Sequence, residues 1–398
     1  MTDRHAEARR AIVVVMDACG AGATDDADAY GDADADTLVH LAEAVGGLEL
    51  PVLGRLGLGN VRSLLGVPPA LRPGALHGRL HPAGPGKDST TGHWELFGVV
   101  ADAPLPTYPE GFPPAVLGRI ELAAGRRCCC NAPYEGIAAI HDFGEHHRAT
   151  GELILYTSVD SVLQIAAHVD VIPEAELYAI CARVREVMRD EHAVGRVIAR
   201  PFTGEPGGFR RTEGRRDLVV QPPGPSHVDL IADLGLPTHA VGKVADLFAG
   251  RGFSDTHPGA TNAVALERTT ALLRDVPAGL IATNLVETDQ TYGHRKDVAG
   301  FAAALRAIDD AVGEWLALLR PGDLLVLTAD HGCDPTTPGT DHTREHAPLL
   351  AVFADHGGRR HDGPLSDVGA SAAAWLGVPT DRSVPGTSFV TPVDPSAA

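Results

Sequence analysis

The sequence predicts an α/β protein: a mostly parallel sheet between helices, with a second, α+β unit inserted into it. Three observations predict this. Short apolar runs recur along the chain and each ends in acidic or imidazole residues. Helical patterns separate them, and the middle of the chain has a different rhythm of strands and helices bounded by proline-rich segments. Alternating strands and helices favour a parallel sheet covered on both faces, and such sheets place their functional residues beyond the carboxyl ends of the strands.

The elements follow in order. Ala11–Met16 runs into Asp17, Gly279–Val286 leads to Glu287 and Asp289, and Leu324–Leu327 leads to Asp330 and His331; each run reads as a buried strand. Phe301, Leu305, Ile308, Val312, Trp315, Leu316 and Leu319 recur every three or four residues and make one apolar face of a helix. In the middle, a helix is expected over 174–190 from Leu177, Ile180, Cys181, Val184, Val187 and Met188, and strands over 127–130, 153–157 and 195–199. The borders of this unit fall near 104 and 219, in the proline-rich stretches Pro104–Pro114 and Gln221–Pro225.

Composition narrows the function. With 398 residues, 44% of them hydrophobic and 21% charged, the chain can bury a large core. A net charge of −19 argues against non-specific nucleic-acid binding, which needs basic surface. The apolar run Ala11–Met16 is too short for a secretory signal and no run approaches a membrane span, so a cytoplasmic protein with no membrane partner is expected. The six cysteines, at 19, 128, 129, 130, 181 and 333, show no paired CxxC spacing. Cys128–Cys130 is expected to be a buried strand, since free cysteine packs as a small hydrophobe.

The stretch GKDSTTGHWE, residues 86–95, offers three consecutive hydroxyls, Ser89, Thr90 and Thr91. A hydroxyl at neutral pH is a poor nucleophile until a base or a metal ion takes its proton. Asp17, Asp289, His294, Asp330, His331 and His342 supply the partner: with one hydroxyl they make seven oxygen and nitrogen donors, enough for two divalent ions at the carboxyl edge of the sheet. Such a pair lowers the pKa of the hydroxyl and stabilises the charge of an in-line phosphoryl transfer. Carboxylates mixed with imidazoles favour manganese or zinc over calcium and, less strongly, over magnesium. Alone, a strand-ending Asp is usually a turn or capping residue and a loop His a solvated one; four such sites at the ends of separate segments are harder to read that way.

VVVMDACGAG, LGLGNV, GKDSTTGHWE, YTSVDSVLQIAAH, VGRVIARPFTGEPGGF, YGHRKD and TADHGCDPTTPGTDHTREHAPLL, in this order over nearly the whole chain, resemble the phosphopentomutase family of the alkaline phosphatase superfamily. The resemblance implies an alkaline-phosphatase-like metal-binding core at 1–103 and 220–398 and an inserted cap at 104–219. It implies an isomerase that interconverts pentose 1-phosphate and 5-phosphate through a phosphorylated hydroxyl residue, with two manganese ions and priming by a sugar bisphosphate such as glucose 1,6-bisphosphate. Carried over by position, Asp17, Ser89, Asp330 and His331 would hold one ion and Asp289, His294 and His342 the other, with Ser89 the nucleophile. Substrate contacts would fall on Ser158, Asp160, Val162, Arg196, Ile198 and Arg211, with Lys243 reaching from the core and Glu135 in a divergent position.

Three departures mark this chain. Val286-Glu287-Thr288-Asp289 stands where the family commonly has Val-Asp-Phe-Asp, Tyr134-Glu135-Gly136-Ile137 where it commonly has Ser-Gly-Thr, and Ser89 where it usually has threonine. The first keeps the ligand Asp289; the second, which puts a carboxylate where a phosphate would approach, leaves ribose, 2-deoxyribose or a modified pentose open as the substrate. A metal-dependent sugar-phosphate phosphatase on the same core is the alternative, and bisphosphate dependence separates the two. A non-catalytic scaffold would not need every ligand, and none is missing.

Overall fold

The run expected as the first buried strand is the strand Arg10–Met16, every residue of which is buried. Its β-branched Ile12, Val13, Val14 and Val15 suit a strand covered on both faces. The computed structural model describes residues 9–158, 161–354, 357–379 and 383–390. Among them this strand lies parallel between Gly279–Leu285 and Asp323–Thr328. The sheet has eight strands, in the order Asp255–His257, Thr238–Val241, Gly279–Leu285, Arg10–Met16, Asp323–Thr328, Ala347–Val352, Leu76–His81 and Gly363–Pro364. The first five are parallel; Ala347–Val352 runs antiparallel to both of its neighbours.

Register positions the site. Met16 pairs with Leu285 and Val15 with Thr328, so the three central strands end almost level and deliver Asp17, the Asp289 segment and Asp330 to one edge. The helix Val298–Leu318 buries Phe301, Leu305, Ile308, Val312 and Trp315 of the face its periodicity predicts, while Leu316 is half-buried and Leu319 lies just past its end. Helix Asn262–Asp275 packs on strand Gly279–Leu285, and helix Asp367–Trp375 on strand Arg10–Met16.

The chain divides into two units, residues up to 103 with those from 222 onward, and Pro104–Gln221. The second unit carries the strands Cys128–Pro133, Leu153–Thr157, Val162–His168, Arg196–Thr203 and Arg210–Arg211 in that order, with Arg216–Val219 also paired to Arg196–Thr203. Alternate residues face opposite ways. Leu153, Leu155, Leu163, Ile165, Val197 and Ala199 share a core with the helices Pro114–Ala124 and Glu174–Val187. Ile154, Tyr156, Ala166 and Phe202 share another with helix Gly136–Thr150. The cysteine strand forms as expected but is only half-buried, because it is the edge of its sheet. It leaves regular pairing after Cys130, where Cys130 and Asn131 take positive φ values of 74° and 45°.

At the far end of the central strand, Arg10 and Asp323 pair in register, fully buried, through two parallel hydrogen bonds. Arg10 also donates to the carbonyls of Leu273 and Val276. Removing one member of a buried pair leaves the other charge uncompensated, which costs about 3–5 kcal/mol. Asp323→Ala should therefore lower the free energy of unfolding by that amount in chemical denaturation at neutral pH; a loss below about 1 kcal/mol would show the pair to be expendable.

Candidate active site

Four parallel strands feed the site. Asp17 follows strand Arg10–Met16, Lys243 follows Thr238–Val241, Asp289 follows Gly279–Leu285, and Asp330 and His331 follow Asp323–Thr328. Ser89 is the first residue of the helix Ser89–Leu96, whose N-cap is Asp88. The Asp88 carboxylate accepts the backbone N–H groups of Thr90 and Thr91, and the Thr91 hydroxyl donates to it at 2.8 Å. The Thr91 hydroxyl is thus spent on the helix cap. Ser89 is the hydroxyl of the three that reaches the acidic cluster: its Oγ lies 3.0 Å from His331 Nε2 and accepts from Lys243 Nζ at 3.2 Å. Gly92 lets the helix approach, since a Cβ there would collide with the backbone of Asp330.

The expected ligands converge in two sets. Ligand atoms of Asp17, Asp330 and His331 lie within 4.8 Å of one another, as do those of Asp289, His331 and His342. His331 Nε2 is 3.4 Å from Asp17 Oδ1 and 3.3 Å from Asp330 Oδ2. In the second set, His342 Nε2 and His294 Nε2 approach Asp289 Oδ1 to 3.2 and 3.4 Å and each other to 3.1 Å. His294 comes from a single π-helical turn, Thr288–Gly293, whose hydrogen bond runs from the His294 N–H back five residues to the Asp289 carbonyl. His342 is brought in by the reciprocal backbone hydrogen bonds between Gly332 and Thr343.

The donor set fits divalent cations. Asp17 Oδ1, Asp289 Oδ1 and Asp330 Oδ2 are buried carboxylate oxygens with no aligned hydrogen-bond donor, which is costly unless a cation serves them. His294 and His331 present Nδ1 to the carbonyls of Thr340 and Gly332, at 2.6 and 3.1 Å. A ring that donates from Nδ1 turns the lone pair of Nε2 toward the carboxylates, the arrangement a metal-binding imidazole needs.

Within the protein, Lys243 and His342 offset these carboxylate charges. Burial and the neighbouring charge of Asp330 push the Asp17 carboxyl up, against the pull of Lys243 at 2.7 Å. Burial also opposes charge on Lys243, but Asp17, Asp289 and Asp330 together raise it above its ordinary value. Burial opposes charge on His342 as well, yet its hydrogen bond to Asp289 and that residue's charge carry it up to about 9. The same histidine overcomes burial at Asp289 and holds that carboxyl low.

Sequence reasoning missed several members. Asn284, a polar residue inside the apolar run Gly279–Val286, donates to Asp17 Oδ2 at 2.9 Å. His93 lies beside Asp330 at 2.9 Å. Glu345 accepts from Gly22, from both the backbone and the hydroxyl of Thr37, and from Thr343, tying the loop after the first strand to the His342 loop. Cys333, grouped with Asp289 and His294, is held protonated by burial and by the charge of Asp289. A polar residue in a buried strand is the signal for Asn284; His93 in GKDSTTGHWE and Glu345 in GTDHTREH carry no spacing that sets them apart.

In the second unit, Val162 and Arg196 are register partners and Ile198 lies two residues along the same strand. Arg196 faces Asp217 at 3.8 Å. Ser158 follows strand Leu153–Thr157, and Asp160 lies outside the described residues. Glu135 is the N-cap of helix Gly136–Thr150, accepting from Ile137 and Ala138, and its second oxygen is 3.7 Å from Arg211. A Cβ at Gly136 would collide with Arg211 and Tyr156. Cys129, His146 and Glu152 form a separate group of metal-ligating types in this unit.

A family model described as Metalloenzyme superfamily matches residues 9–380, and the chain is a member of that superfamily. A phosphopentomutase of Anaeromyxobacter sp. (strain K) is 48% identical over 392 residues, covering 97% of this chain and 99% of that protein. Another, from Caldanaerobacter subterraneus subsp. tengcongensis, is 44% identical over 385 residues, covering 96% and 97%. The chain belongs to the phosphopentomutase family. Among solved structures, a Leishmania mexicana phosphoglycerate mutase crystallised at low cobalt concentration superimposes with a TM-score of 0.51 at 14% identity, over 98% of this chain and 99% of that one. That likeness shows the shared α/β fold. No helix among the described residues is long and apolar enough to cross a membrane.

The His342 proton yields a pH prediction. Its raised pKa means the proton is held below about pH 9 and lost above it. A cation at Asp289 needs the neutral ring and must displace that proton. Apparent Mn²⁺ affinity should rise by about tenfold per pH unit from neutrality toward pH 9, with one proton released per ion. Calorimetry in buffers of different ionisation enthalpy measures both; affinity independent of pH over that range would contradict it.

Proposed function

We propose that the protein is a phosphopentomutase-type isomerase that moves a phosphoryl group between O1 and O5 of a pentose through a phosphorylated Ser89. The observation that carries this is the setting of the Ser89 hydroxyl, held by His331 and Lys243 next to three buried carboxylates with an unserved oxygen each. Asp17, Ser89, Asp330 and His331 would hold one divalent ion, and Asp289, His294 and His342 a second, with manganese the best match to the donors. When bound, such ions lower the pKa of the hydroxyl and stabilise charge on the transferred phosphoryl group.

The chain's own groups do the rest. Lys243 places a fixed positive charge at the hydroxyl, where phosphate oxygens would lie. The Thr90 and Thr91 N–H groups of the helix's first turn are engaged by Asp88, which leaves Lys243 as the charged donor at the hydroxyl. The Ser89 phosphoryl passes to the free hydroxyl of a bound pentose monophosphate: the P–Oγ bond breaks and a P–O bond to the sugar forms, giving a bisphosphate. The other phosphoryl group then returns to Ser89. Arg196 and Arg211 suit phosphate through their planar forks, with Ser158, Asp160, Val162 and Ile198 as sugar contacts. A sugar bisphosphate such as glucose 1,6-bisphosphate would load Ser89 at the start.

Phosphorus NMR tests this on Mn²⁺-loaded enzyme primed with glucose 1,6-bisphosphate and given ribose 1-phosphate, 2-deoxyribose 1-phosphate or arabinose 1-phosphate. The 5-phosphate should appear, faster with the bisphosphate present; inorganic phosphate alone would identify a phosphatase. One phosphate should be found on Ser89 in the peptide GKDSTTGHWE. Ser89→Ala should lose activity by about a thousandfold or more, while Ser89→Thr, with the same hydroxyl, should retain it.

The departure at 134–137 has its own test. Serine is a good N-cap, so Glu135→Ser combined with Ile137→Thr should keep helix Gly136–Thr150 intact while removing the carboxylate beside Arg211. The ratio of kcat/KM for ribose 1-phosphate to that for the preferred sugar should rise. Wild-type protein that already isomerises ribose 1-phosphate as fast as any sugar tested would remove the idea of a modified substrate.

A further inference from the structure

His93 and Asn284 take no part in the reaction as written, yet both are completely buried against residues that do. His93 stands one helical turn after Ser89, and its ring folds back so that Nδ1 is 2.9 Å from the Ser89 carbonyl oxygen and 2.9 Å from Asp330 Oδ2. Its Nε2 is 3.2 Å from Asn284 Nδ2. That same amide nitrogen is 2.9 Å from Asp17 Oδ2. Asn284 is fixed there by the sheet, as the register partner of Val15 in the central strand.

The chemistry of these groups leaves one arrangement of protons. An amide nitrogen has two N–H groups and no lone pair to give, so it donates both to Asp17 and to His93. Turning the amide over would set its oxygen against the Asp17 carboxylate. His93 Nε2 is therefore the acceptor, and the proton of the neutral ring sits on Nδ1, facing the Ser89 carbonyl and Asp330. We infer that His93 and Asn284 are a positioning pair that fixes the nucleophile's helical turn and the two carboxylates of the first metal site relative to one another.

Asn284 also helps to decide which oxygen of Asp17 is left for a cation, while backbone groups do so at Asp330. Asp17 Oδ2 is taken by Asn284 and Lys243, leaving Oδ1. Asp330 Oδ1 accepts from the backbone N–H groups of Ala18 and His331, leaving Oδ2, which the His93 N–H flanks. Hydrogen-bonded support of this kind behind metal ligands typically changes metal affinity by about 10–100-fold. The inference rests on reading Asp17 and Asp330 as metal ligands and Ser89 as the nucleophile.

Two measurements on the full chain test it. In metal-free wild-type protein at pH 8, ¹⁵N-histidine NMR should show His93 as the neutral ring protonated on Nδ1, and Asn284→Leu should abolish that preference. A ring protonated on Nε2 in the wild type, as the other tautomer or as the cation, overturns the inference. Mn²⁺ titration followed by electron paramagnetic resonance should show affinity weakened about 10–100-fold in His93→Leu, with most of it recovered in His93→Asn, whose amide nitrogen can stand in for Nδ1. In the mutase assay kcat should fall while KM for the pentose phosphate stays within about twofold, since the pair supports the metal ligands and not the sugar. Asp330→Asn is the control. If it loses Mn²⁺ and His93→Leu does not, the positioning pair is wrong and the metal site stands; if neither loses Mn²⁺, the metal assignment fails and takes the pair with it.

Discussion

Crowding of buried like charge governs this structure. Asp17, Asp289 and Asp330 are almost wholly removed from solvent, and such a gathering of carboxylates persists only where cations balance it. Lys243 and His342 do so from within the protein, and the carboxylates beside them push both above their ordinary pKa against the effect of burial. A divalent ion does the same work more fully. The sheet register that levels the ends of the three central strands creates the crowding.

Much of the core fold was legible because its signals are local. A run such as Ile12–Val15, apolar and β-branched, has few alternatives to a buried strand, and the periodicity of Phe301 to Trp315 has few alternatives to a helix packed on a sheet. The cysteine strand shows the limit: Cys128–Cys130 reads as apolar, but whether an apolar strand is central or marginal depends on its neighbours across the sheet, which sequence does not display. Similarly, the strand expected to end at residue 199 continues to Thr203 through Pro201, whose missing N–H is no obstacle where its carbonyl is what the next segment uses.

At the site, side chains that end strands could be read, and those that support them could not. Asp17, Asp289, Asp330 and His331 announce themselves by following apolar runs. His93 looks like any polar residue on a short helix until Asp330, 237 positions further along, is seen against its ring. Glu135 taught the opposite lesson. Read along the sequence it was a carboxylate placed against a phosphate; in the structure it is first the cap of a helix, and its charge is shared with two backbone N–H groups and Arg211.

The π-helical turn at Thr288–Gly293 sets a length requirement that composition cannot convey. Residues five apart are stacked there, so Asp289 and His294 point at one place only because the turn holds one residue more than an α-helix would. In an α-helix residues five apart would stand about 140° apart around the axis, since successive residues are about 100° apart, so the wider turn is what sets both side chains on one face. Spacing and turn type are therefore matched: two residues five apart need the π-helical turn to share a face, as two residues four apart need an α-helical one. A homologous chain one residue shorter here keeps the two side chains together only by reverting to an α-helical turn, in which residues four apart share a face.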